Sequence, residues 1–116
     1  MELNGKIAVV TGGNRGIGFE LCRQLLDGGA TVVMTARDES KGIAAAEKLA
    51  PPAGRLVVYP LDVCDDQGPT ALANVVAARF GRVDILINNA GVAQDKFVLS
   101  KDLDLDVLRH TLETNV

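Results

Sequence analysis

A chain of 116 residues is expected to form one domain over residues 1–116 and can bury roughly two-thirds of the surface its unfolded form exposes. Hydrophobic residues make up 47% of it but aromatics only 3%, with no Trp, so the core is expected to be aliphatic, as in sheets covered by helices. The net charge of −3, with Lys and Arg scattered and never in a run, argues against nucleic acid; the opening MELNGKIAVV is neither a secretion signal nor a membrane span, which makes the cytoplasm the default location.

In chain order, Lys6 to Thr11 is a short apolar, β-branched run that ends in glycines and reads as a buried strand. A helix follows, with Ile17, Leu21 and Leu25 recurring every four residues, Cys22 and Leu26 beside them, and Gly28-Gly29 ending it. Thr31 to Thr35 predicts a second strand, and Glu39 to Ala50 a second helix stopped by Pro51-Pro52. Arg55 to Leu61 is the third strand. Pro69 suits the first turn of a third helix that runs to Phe80 and is capped by Gly81. Val83 to Ile87 forms a fourth strand, and a fourth helix is expected to start near Asp102 or Asp104.

Strands alternating with helices at these lengths predict an α/β fold of three layers, a parallel sheet with helices on both faces. The expected order is 3-2-1-4, with Pro60 favouring an edge position for strand three because a residue without an N–H is poorly tolerated inside a sheet. In such a four-stranded sheet, Ile85-Leu86-Ile87 would present an open edge, prone to self-association.

Few residues suggest other chemistry. Cys22 and Cys64 are far apart and lack CxxC or Cys/His spacing, and His110 is the single histidine, so neither a metal site nor a disulfide is expected. No G-x-S-x-G occurs to suggest a hydrolytic triad.

The stretch TGGNRGIG, Thr11 to Gly18, lies between the first strand and the first helix, where backbone N–H groups and the helix dipole favour an anion. Glycines there let the backbone turn sharply and approach a pyrophosphate closely. The spacing is T-G-x-x-x-G-x-G, and no Lys-Ser or Lys-Thr pair follows as a nucleotide triphosphatase loop would need.

Four features together resemble the N-terminal half of a short-chain dehydrogenase/reductase: TGGNRGIG, the Leu61-Asp62-Val63 after strand three, the Asn88-Asn89-Ala90-Gly91 after strand four, and Asn115. The wording GGNRGIGFELCRQL with TARDESKG is most similar to plant reductases of the menthone and salutaridine type and to carbonyl reductases. The resemblance implies a Rossmann-like fold and a nicotinamide cofactor held by Gly12, Asn14, Arg15, Gly16, Ile17 and Gly18 in the loop, with Asp62 and Val63 near the adenine and Asn89, Ala90 and Gly91 beside a ribose.

The choice of cofactor turns on the residues after strand two. An NAD site places a carboxylate about 20 residues past the glycines. Ala36 offers none, whereas Arg37 offers a guanidinium fork suited to the 2′-phosphate of NADP, with Arg15 as a second cation. The alternative is that Arg37 is a solvated charge and Asp38 holds the ribose of NAD. Two guanidiniums converging on one phosphate favour NADP(H).

In the resembled family, carbonyl reduction uses a Tyr as general acid, a Lys four residues later, a Ser, and an Asn that completes a proton relay. A Tyr near pKa 10 is too weakly acidic at neutral pH without a nearby cation. The single Tyr, Tyr59, is followed four residues later by Val63, so it reads as structural. The resemblance makes Asn115 the relay member, which accounts for an amide on the stripe of Leu105, Leu108 and Leu112. The expected function is thus the NADPH-binding portion of an oxidoreductase acting on a small carbonyl or alcohol, without catalytic power by itself. The alternative is a non-catalytic dinucleotide-binding or dimerising module.

Overall fold

The computed structural model describes residues 3–13, 16–51, 54–61, 68–88 and 96–103. Among these, β1 (Ile7–Thr11), α1 (Gly16–Asp27), β2 (Thr31–Ala36), α2 (Glu39–Leu49), β3 (Leu56–Pro60), α3 (Gly68–Arg79) and β4 (Val83–Asn88) alternate as expected, and a further strand, β5 (Lys96–Leu103), follows. The sheet order is β3-β2-β1-β4-β5. The first four strands are parallel, with Val9 facing Val33 on one side and Leu86 on the other, and Val33 facing Val57.

Side-chain alternation divides the core between the two faces of the sheet. Ala8, Val10, Val32, Met34, Ile85 and Ile87 meet Cys22, Leu25 and Leu26 of α1 and Ala45 of α2. Val9, Val33 and Leu86 meet Leu72, Ala73 and Val76 of α3. This is the expected three-layer arrangement. Burial of each such aliphatic side chain contributes roughly 1.5–3 kcal/mol. β1 and β2 are buried along almost their whole length, whereas β3 is only half-buried and ends on an exposed Pro60, as a sheet edge permits.

Three expectations need correction. The sheet has five strands, because β5 pairs with β4 in the antiparallel sense, Val98 facing Leu86 and Phe97 facing Ile87. The edge of β4 is therefore covered. Asp102 lies inside β5 rather than at a helix start, and Asp104 falls outside the described residues. In α1 the buried face is Gly18, Cys22, Leu25 and Leu26, with Leu21 half-buried and Ile17 60% exposed. Cys22, Leu25 and Leu26 are thus buried as the apolar pattern suggests, and Gly18 rather than Ile17 completes the buried face at its amino end.

Polar ties fix the ends of these elements. Arg55, just before β3, donates from Nη2 to the carbonyl of Leu26, in the last turn of α1, and to that of Ala30, at 2.8 Å, just before β2. At the amino end of the sheet, buried Asp84 accepts from the Ile7 N–H at 2.8 Å and from Arg82 Nε at 3.1 Å, while Arg82 Nη2 donates to the Gly5 carbonyl at 2.6 Å.

Candidate cofactor site

The carboxyl ends of the four parallel strands, Thr11, Ala36, Pro60 and Asn88, lie along one edge of the sheet, where Thr11 faces Asn88 and Ala36 faces Pro60. From β1 the chain goes first to β2 and β3 on one side, then to β4 on the other. The strand order reverses at β1/β4, and such a crevice is where open α/β sheets hold ligands.

At that point the glycine loop leaves β1. Thr11 is fully buried, and its hydroxyl donates to the Ile87 carbonyl at 3.5 Å, linking the loop to β4. Gly12 and Gly16 both take left-handed backbone, φ 63° and 59°. The Gly12 N–H donates to Thr35 Oγ1 at 3.2 Å and the Gly13 N–H to the Thr35 carbonyl at 3.0 Å. A Cβ on Gly13 would stand 2.5 Å from Met34 Cγ and 2.9 Å from Cys22 Sγ, so this part of the loop is pressed onto the sheet. Burial pushes the Cys22 thiol up to about 12, leaving it a neutral packing group.

Helix α1 then starts at Gly16 with no acidic side chain in its first turn. Its leading N–H groups have no intrahelical carbonyl to bond, and no carboxylate of that turn competes with an incoming anion. Gly12, Gly16, Ile17 and Gly18 are thus gathered at the head of α1, Gly18 buried and Ile17 exposed. Asn14 and Arg15 lie outside the described residues, as do Asp62, Val63, Asn89, Ala90, Gly91 and Asn115.

The turn from β2 into α2 carries the second cluster. Asp38 is the N-cap of α2, and its Oδ1 accepts from the Ser40 N–H at 2.9 Å and from Ser40 Oγ at 2.6 Å. Those two bonds hold its carboxyl below the usual carboxylate range. Arg37, just before it, is exposed and lines an open groove of about 1110 Å³ together with Asp38, Glu39, Lys41, Lys48 and Pro60. Among the described residues, no cluster of His, Cys, Asp or Glu could hold a metal, and no helix is long and apolar enough to cross a membrane.

Three contributors escaped the sequence reading. Lys41, in the first turn of α2, lines the same groove as Arg37. Ser40 occupies the Asx-turn position after Asp38, a local signal that was legible. Thr35 sits inside a strand pattern, and only the pairing of β1 with β2 brings it under the loop. Tyr59, facing Thr35 across the ladder, packs half-buried against the second core.

Comparison with known proteins agrees with this architecture. A family model described as short chain dehydrogenase matches residues 6–116. The (+)-neomenthol dehydrogenase of Capsicum annuum is 44% identical over 112 residues, covering 93% of this chain and 34% of that protein. Salutaridine reductase of Papaver bracteatum is 52% identical over 90 residues, 76% of this chain and 29% of that protein. A metagenomic short-chain oxidoreductase, solved in complex with NADP, superposes with a TM-score of 0.71 at 42% identity, covering 78% of this chain and 41% of that one. The chain spans about a third of the length of the curated relatives it matches. From the match over residues 6–116, the chain belongs to the short-chain dehydrogenase family.

Proposed function

We propose that residues 1–116 act as a single dinucleotide-binding domain, the NADP(H)-holding part of an oxidoreductase that interconverts a small-molecule carbonyl and its alcohol. The observation that carries the cofactor choice is the commitment of Asp38. The carboxylate that an NAD site would offer to the ribose is engaged as the α2 cap, while Arg37 and Lys41 line the adjoining groove. A groove lined by three cations, Arg37, Lys41 and Lys48, against Glu39 and an Asp38 whose Oδ1 already accepts two bonds from Ser40, suits a ribose 2′-phosphate. The names of the neomenthol dehydrogenase and salutaridine reductase, and the NADP bound in the metagenomic neighbour, support the same reading.

In this reading the head of α1 takes the pyrophosphate, approached closely through the loop residues Gly12, Asn14, Gly16, Ile17 and Gly18. Arg37, with Arg15 and Lys41, takes the 2′-phosphate, Asp62 and Val63 border the adenine, and Asn89, Ala90 and Gly91 border a ribose of the cofactor. Asn115 is the relay member. The bound nicotinamide supplies or accepts the hydride. Tyr59 packs in the sheet with Val63 four residues on, so the 116-residue chain binds cofactor without turning over substrate.

Calorimetric titration with NADPH and NADH tests the proposal. NADPH is expected to bind more tightly, and Arg37→Ala to weaken it roughly tenfold to a hundredfold with little change for NADH, because one charge-assisted contact is removed. Tighter binding of NADH, or unchanged NADPH affinity in the variant, would overturn the assignment. Oxidation of NADPH by the chain in the presence of ketones would overturn its inactivity.

A further inference from the structure

We propose that Thr35, which lies outside the glycine motif, is the positioning residue of the phosphate site. The inference rests on the dinucleotide reading above. The last β1/β2 register pair is Val10 with Met34. One residue later, β1 runs out into the loop, and Thr35 takes both of the next two loop N–H groups. Its hydroxyl accepts from Gly12 at 3.2 Å and its carbonyl accepts from Gly13 at 3.0 Å.

Gly12 is where the backbone turns into the left-handed region, so the hydroxyl bond holds the turn itself, whereas the carbonyl bond merely extends the ladder. Thr35 is 1% exposed, so water does not compete at that hydroxyl. The consequence is a division of labour along the loop. The N–H groups of Gly12 and Gly13 are bound to β2, so Thr35 determines where the chain turns and where α1 begins, and the N–H groups from Gly16 onward remain for the anion. An acceptor supplied by a neighbouring strand pre-organises the loop before any ligand arrives, which reduces the ordering cost of binding.

The experiment compares Thr35→Val and Thr35→Ser with the wild-type chain. Valine keeps the β-branched shape and the backbone carbonyl and removes only the acceptor for Gly12, while serine restores it. NADPH and 2′-AMP serve as probes, the second carrying the 2′-phosphate without a pyrophosphate, and exchange of the Gly12 amide is followed by NMR. We expect Thr35→Val to weaken NADPH roughly tenfold, to leave 2′-AMP unchanged and to speed exchange at Gly12, with Thr35→Ser close to wild type. Equal loss for both probes, unchanged NADPH affinity or unchanged Gly12 exchange would each overturn the assignment. Failure of the wild-type chain to bind NADPH would instead overturn the dinucleotide reading, and the Gly12 exchange rate would then decide the hold of Thr35 on the loop by itself.

Discussion

Gly13 is tightly constrained, although the motif spacing singles out Gly12, Gly16 and Gly18. The spacing records where the chain must turn, and two of those three residues have left-handed backbone. It does not record what lies beneath the loop. Met34 comes from β2 and Cys22 from α1, both fully buried, and both converge on Gly13 within 3 Å of where a Cβ would stand. Packing of this kind depends on three separate segments and leaves no local pattern. Gly13→Ala is expected to cost about 1–3 kcal/mol, since neither neighbour has an open side to retreat into. A urea unfolding midpoint equal to that of the parent chain would refute this. Gly16→Ala is the contrasting case: its Cβ would meet nothing within 4 Å, but φ 59° is strained for any side chain, so the penalty there is conformational, about 1 kcal/mol.

At the scale of elements, most boundaries were readable because two signals coincided, an apolar run or a four-residue period and a glycine or proline that stops it. Gly81 shows this at the end of α3, with φ 76° and an N–H that donates to the Val76 carbonyl at 3.1 Å. The role of Asp38 was less legible, since a carboxylate at that place serves equally as a helix cap or as a ribose ligand, and only the geometry at Ser40 separates them. That geometry has a pH consequence. The carboxyl is held below its ordinary value in the folded chain, so its contribution is fully present above about pH 4, the unfolded value, and is lost as pH falls through the depressed folded value. Asp38→Ala is expected to lower the thermal midpoint at neutral pH by a few degrees. Asp38→Asn keeps a capping oxygen but not the charge, so it should lie close to the parent at pH 7 and flatten the loss of stability below pH 4. Identical acid profiles for the parent and the Asn variant would show that the carboxylate is not titrating with unfolding.

Across the whole molecule, the fifth strand is the feature that sequence reading missed, and the reason is physical. A strand paired on one side only needs no continuous apolar run, and KFVLSKDL has just three consecutive apolar residues, followed by an Asp that imitates a helix cap. The parallel strands are sandwiched by helices and declare themselves by composition, as Val9, Val33 and Leu86 do. β5 matters because β4 is buried from Val83 to Ile87 and, apart from Asp84, aliphatic there, and uncovering it would offer a ready template to another chain. In an antiparallel pair, successive N–H groups point to opposite sides, so of two adjacent residues in β5 one donates toward β4. Replacing Val98 and Leu99 together with proline therefore removes a ladder donor whichever residue supplies it. The double variant is expected to unfold at a lower temperature and to form larger species than the parent at equal concentration, read by size-exclusion chromatography with light scattering. An unchanged midpoint together with an unchanged mass distribution would mean that β5 does not protect the edge of β4, and that the cofactor crevice at β1/β4 keeps its shape without it.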